Sequence, residues 1–220
     1  MNCIEHHLPE LELSTGQVRD ALQCLLHTIL FIRSPGPVTP CDVQCEDFGI
    51  TYSKISSDRE SKNSLASPSS FSIENDVDRK VDDAIESFLR SLSQIGPELL
   101  SGCLTLSFFE RRASRQLFGL VSHEERVVWE QWILRIVVNN TPRPLGSDSA
   151  AIIERQRIQD TAKGMLRAVL EKAFELSAGS LSHIPPTMYE FEITSSKRVD
   201  DRESAYSRAT TMPPILNLGS

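Results

Sequence analysis

Cys103-Leu-Thr-Leu-Ser-Phe-Phe109 and Val127-Val-Trp-Glu-Gln-Trp-Ile-Leu-Arg-Ile-Val-Val138 are two strand-like segments joined by a connection, and their pairing decides the fold. The first alternates Leu104, Leu106 and Phe108 on one face. The second sets Trp132, Leu134, Ile136 and Val138 on one side, with Trp129, Ile133 and Val137 on the other, because successive strand side chains point to opposite faces. The connection, Arg111-Arg-Ala-Ser-Arg-Gln-Leu-Phe-Gly-Leu-Val-Ser-His-Glu-Glu-Arg126, is charged at both ends and apolar in the middle. A loop carrying Leu117, Phe118, Leu120 and Val121 between such flanks either folds back over the core or offers those side chains to a partner.

Helical periodicity surrounds this pair. Ser14 followed by Gln17 is a capping-box pattern, and Val18, Ala21, Leu22, Leu25, Leu26, Ile29 and Leu30 then share one helical face, up to Ser34-Pro-Gly-Pro37. Phe48, Ile50 and Tyr52 alternate as a half-buried strand. A second helix starts near Asn75 or Asp76, with Val77, Val81, Ala84, Ile85, Phe88 and Leu92 on one face, and ends before Gly96-Pro97. A third runs from about Ser149 to Ser177 on the stripe Ile158, Ala162, Met165, Leu166, Val169, Leu170, Ala173 and Phe174, with Gly164 marking a close contact and Gly179 a stop. Tyr189, Phe191 and Ile193 alternate in a last strand after the rigid, extended His183-Ile-Pro-Pro186. The expected class is α+β, a mainly antiparallel sheet covered by about three helices. It occupies residues 1–195, with a flexible insertion at 56–75, where eight of twenty residues are serine, and a mobile tail over 196–220.

A formal charge of −7 over 220 residues argues against nucleic acid or anionic lipid as partner, since both need concentrated Lys and Arg, and Arg111, Arg112 and Arg115 are too few to reverse it. The first thirty residues lack the basic start, apolar run and cleavage site of a secretory signal. The apolar run from Ala21 to Ile32 falls short of the ~20 residues of a membrane helix. The expectation is therefore a soluble cytoplasmic or nuclear protein with no integral membrane segment. Its five cysteines are expected to be reduced. Cys41 and Cys45, with Cys3, His6 and His7 elsewhere, lack the second paired unit of a zinc site, so no metal is expected.

No phosphate-binding glycine loop, nucleotide fingerprint or nucleophile elbow occurs in the sequence, so no cofactor and no catalytic residue is assigned. Glu124, Glu125 and Glu130 read as a solvated loop end and strand face rather than an acid/base pair. A hydrolase or transferase built on dispersed residues such as His27 or His183 is the weaker reading.

The order and spacing of several fragments carry a family resemblance: Met1-Asn-Cys3, Val18-Arg-Asp-Ala-Leu-Gln-Cys-Leu-Leu-His-Thr-Ile-Leu-Phe31, Phe48-Gly-Ile-Thr-Tyr52, Leu104-Thr-Leu-Ser-Phe-Phe-Glu110, Trp129-Glu-Gln-Trp132, His183-Ile-Pro-Pro186 and Phe191-Glu-Ile193. In these the chain resembles the autophagy-related protein 101 family, HORMA-domain subunits of the complex that initiates autophagy. The resemblance implies a HORMA-like, noncatalytic adaptor that pairs with the HORMA domain of autophagy-related protein 13. It further implies work within the autophagy-initiation kinase complex at the phagophore assembly site, and an aromatic finger that recruits downstream factors. The finger falls on the connection, at Leu117 and Phe118; Phe118 matches the family's Phe, while the Trp position holds Leu117, or Gln116 if one residue separates the aromatics. A dimer interface is expected on the third helix at Leu166, Val169 and Leu170. The alternative is a HORMA-type adaptor that grips partner peptides in cell-cycle or chromosome signalling.

Overall fold

A computed structural model of the chain describes residues 3–34, 38–55, 73–115, 122–142, 149–186 and 188–196, with the backbone alone for 73–76, 113–115 and 122–124. The elements run β1 (Ile4–His7), β2 (Leu11–Ser14), α1 (Val18–Ile32), β3 (Pro40–Cys45), β4 (Ile50–Ile55), α2 (Ile73–Ser91), β5 (Ser93–Gln94), β6 (Leu99–Arg115), β7 (Ser122–Asn139), α3 (Ser149–Gly179) and β8 (Glu190–Ser196). The fold is α+β, compatible with a HORMA-like arrangement, and the expected pairing of the two long strands is its centre.

β6 and β7 pair antiparallel along almost their whole length. β5 and β8 join the far side of β6, also antiparallel, while β1 and β2 join the far side of β7 in parallel. Cross-strand partners share a face, so the register gathers Leu104, Leu106 and Phe108 with Trp132, Leu134, Ile136 and Val138. Leu11 and Leu13 flank them from β2, Phe191 and Ile193 from β8. The three helices cover this face, α1 against α2 and α3, α2 against β6 and β8, and α3 against β2. The β3–β4 hairpin packs on α1. That cover explains why α1 is buried beyond one stripe, at Cys24, His27 and Thr28 as well as at its leucines.

The helix entry is as the sequence reads, with a refinement. Ser14 and Gln17 form the capping box: the Ser14 backbone N–H and hydroxyl donate to Gln17 Oε1 at 3.3 and 2.7 Å. A 3-10 turn over Thr15–Gln17 precedes α1. Phe48 lies in the β3–β4 turn rather than in a strand, and at 1% exposure it anchors that turn in the core. α2 begins at Ile73, inside the stretch read as an insertion, and His183 sits in a 3-10 turn over Leu181–His183 rather than in extended chain.

Two glycines exchange roles. A Cβ on Gly164 would meet nothing within 4 Å, so that residue marks no close contact. On Gly102, in β6, it would lie 2.7 Å from a ring carbon of Phe88 and 3.1 Å from a methyl of Leu92. Gly102 is where α2 presses on the sheet.

The register shifts between Phe108 and Phe109, whose β7 partners are Glu130 and Val128. The extra residue is Trp129, so this is a β-bulge. Strict alternation would put Trp129 on the face opposite Trp132. The bulge instead brings both indoles, each 0% exposed, into one core cluster, where Trp129 stands 5.7 Å from the Phe108 ring and 5.0 Å from that of Tyr189.

Candidate partner-binding surfaces

Beyond the bulge the sheet narrows to a ribbon. β8 pairs with β6 only as far as Phe109, and β1 meets β7 only from Glu130 onward, so, among the described residues, 110–115 and 122–127 have only each other as strand-pairing partners. Charged contacts fix the base of this ribbon to β8. Arg111 donates to both carboxylate oxygens of Glu190, at 2.8 and 3.1 Å, Arg126 pairs with Glu192 at 2.5 Å, and the Arg126 guanidinium lies 3.8 Å over the Phe109 ring. Arg112 pairs with Glu110 on the other side. The turn that this ribbon supports is the connection singled out from sequence. The finger residues Leu117 and Phe118 lie outside the described residues.

α3 offers a second surface, with its sides the reverse of the sequence expectation. Leu166, Val169 and Leu170, read as an interface, are buried at 0, 2 and 8% exposure in the core, on the side of α3 that faces β2 and α1. They are the inner stripe of the helix, and a partner would not reach them while α3 is docked. The large apolar residues left outside are Ile152 and Ile153 near its start and Phe174 near its end, all more than half exposed, followed by Leu181 in the next turn.

The feature least visible from sequence is a buried ionic network where α1, α3 and the sheet meet. Arg33, just past α1, is held by Glu130 of β7: its Nε donates at 2.9 Å to Oε2 and its Nη2 at 3.1 Å to Oε1. Nη2 also donates to Ser180 Oγ at 2.6 Å and to the Ser177 carbonyl at 3.3 Å. His6 Nε2 stands 2.9 Å from Glu130 Oε1, and the Tyr189 hydroxyl donates to the Arg33 carbonyl at 2.5 Å. Burial by itself would raise the Glu130 pKa. The His6 ring beside it and the hydrogen bonds and charge of Arg33 outweigh it and hold the carboxyl below its ordinary range. Glu130 is thus no solvated strand-face residue. Its position two residues before Trp132, on the same side of an apolar strand, was the available signal that it needs a buried partner.

The residues weighed for chemistry are dispersed. His27, buried in α1, is 3.8 Å from Asp78 of α2, and its pKa is lowered, chiefly by burial. His183 is far along the chain in its 3-10 turn. Burial pushes the Cys24 thiol up to about 12, with the neighbouring Cys45 adding to the rise, so it stays protonated and unreactive. Among the described residues no three His, Cys, Asp or Glu gather as ligands for a metal ion, and no helix is long and apolar enough to cross a membrane.

Comparison with known proteins agrees with the resemblance. The family model described as Autophagy-related protein 101 matches residues 10–190. Autophagy-related protein 101 of Arabidopsis thaliana is 29% identical over 209 residues, covering 88% of this chain and 87% of that protein. The proteins of the same name from Homo sapiens and Xenopus laevis are each 26% identical over 151 residues, 63% of this chain and 59% of theirs. With the family model spanning most of the chain, on a fold whose long strand pair and three helices lie where the shared fragments put them, this chain belongs to the autophagy-related protein 101 family.

Proposed function

We propose that the chain is a noncatalytic adaptor required for autophagosome formation, which pairs with the HORMA domain of autophagy-related protein 13 in the autophagy-initiation kinase complex. It acts in the cytoplasm at the phagophore assembly site and helps recruit downstream factors through the finger at Leu117 and Phe118. The observation that carries this reading is the ribbon: a strand pair that leaves its sheet and is pinned at its base by Arg111–Glu190 and Arg126–Glu192 suits the presentation of a short apolar segment to another protein. α3 supplies the pairing surface in this reading, with Ile152, Ile153 and Phe174 outward and Leu166, Val169 and Leu170 seating the helix from within.

Co-expression with the autophagy-related protein 13 of the same organism tests the pairing. A stable heterodimer on size exclusion is expected, and two separate peaks at micromolar concentration would overturn it. Phe118→Ala is expected to keep the heterodimer and the melting temperature while losing downstream partners from a pull-down. A second reading, peptide capture in cell-cycle or chromosome signalling, draws on β8, which among the described residues is hydrogen-bonded along one edge only. Strand addition by a peptide to the isolated chain would favour it.

A further inference from the structure

We propose that Ser114 is a phosphorylation site for an arginine-directed serine kinase, read through Arg111 and Arg112. In Arg111-Arg-Ala-Ser114 two guanidinium groups stand three and two residues before a hydroxyl, and Ser114 is the one serine of the chain with arginine at both positions. Paired guanidiniums on an extended backbone present forked donors that suit a carboxylate-lined substrate cleft.

The structure adds what the motif lacks, an extended and separable strand. Residues 110–115 are already extended and their only strand-pairing partner among the described residues is 122–127, and a ribbon of two strands is marginal in water, so its end opens at little cost. The Arg111 and Arg112 side chains remain about half exposed, at 52 and 47%. The Arg111–Glu190 pair, equally exposed, yields readily to competing carboxylates. Ser93, which has an arginine only at the third position before it, is a poorer acceptor. Its hydroxyl donates to the Ser101 carbonyl within the β5–β6 pairing.

The step is phosphoryl transfer from ATP. A bond forms between the serine oxygen and the γ-phosphorus as the bond from that phosphorus to the β–γ bridging oxygen breaks; ADP departs with the electron pair, and the hydroxyl proton passes to the kinase's aspartate. The product adds a charge of about −1.5 to −2 at the register partner of His123, two register pairs from Arg112–Glu125. The assignment is independent of the adaptor reading, which pairing experiments decide separately.

The full-length chain would be incubated with γ-labelled ATP, magnesium and the purified catalytic subunit of a cyclic-nucleotide-dependent kinase, and the label mapped by peptide mass spectrometry. Near-stoichiometric label at Ser114, abolished in Ser114→Ala, is expected. The double change Arg111→Ala/Arg112→Ala should lower kcat/KM at least tenfold while the variant stays folded by circular dichroism at the assay temperature. Absent label, label confined to another residue, or an undiminished rate in the double variant would overturn the assignment.

Discussion

Replacing Arg33 by Met probes the network that joins α1 to the sheet. The change removes three hydrogen bonds to Glu130 and those to Ser180 Oγ and the Ser177 carbonyl, and leaves the carboxylate, 1% exposed, with the His6 ring 2.9 Å away as its remaining polar neighbour. Breaking a buried pair from one side typically costs about 3–5 kcal/mol, because an uncompensated charge stays behind. For a chain of this size each kcal/mol corresponds to about 2–4 °C, so the melting temperature should fall by roughly 6–20 °C. Arg33→Met/Glu130→Leu should recover most of that loss, since it removes both desolvation penalties and since Arg33 Nη1 has no hydrogen-bond partner among the described residues to forfeit. Urea unfolding, followed by the fluorescence of the two tryptophans, measures the four corners of this double-mutant cycle. A single-variant loss below about 1 kcal/mol, or a double variant as unstable as the sum of the two singles, would refute the assignment of an interdependent buried pair.

The glycines make a paired prediction. Gly102→Ala should destabilise by about 1–3 kcal/mol through overlap with Phe88 and Leu92, whereas Gly164→Ala should stabilise by up to about 1 kcal/mol in open space on a helix; equal effects in calorimetry would contradict the packing described. His27 is held below its ordinary value of 6.5, so the unfolded chain takes up its proton first as pH falls; the associated stability is full above 6.5 and declines below it, down to the folded pKa. His27→Gln should flatten the dependence of urea midpoint on pH below 6.5, and an unchanged slope would show that other groups govern it. Ile152→Asp/Ile153→Asp should leave the melting temperature within about 2 °C, because both residues are outside, while weakening the proposed heterodimer at least tenfold by calorimetric titration. Retained affinity would move the pairing surface away from the start of α3.

Elements with long, regular patterns were legible from sequence, and the reasons are local. α1, α2, α3 and the β6–β7 pair each repeat their apolar period over enough residues to identify themselves. β1 and β2 are four residues each and join β7 in parallel from more than a hundred residues away, so neither length nor a nearby turn announces them. β3 offers Val43 alone among aliphatic residues and was hidden beside the clearer β4. Trp129 departs from the face that alternation predicts because one extra residue interrupts the strand, an event with no compositional mark. The third-helix stripe is legible through Ala173, with Phe174 turned outward instead, but a stripe of leucine and valine does not say whether a helix turns it toward its own sheet or another chain. The Arg33–Glu130 pair spans 97 positions, and only Glu130, set in an apolar strand, hinted at it.

The extra residue at Trp129 also governs what any partner would meet at the far end of β6 and β7. If the two strands slid by one position to absorb it, Arg126 would face Arg112 instead of Arg111 and leave both the Phe109 ring and Glu192. The sides presented by Arg126 and Val128 would be interchanged with those of Glu125 and Val127, and the turn would lengthen by one residue. Arg126 therefore works as a latch against slippage, holding the register of 110–115 against 122–127 constant.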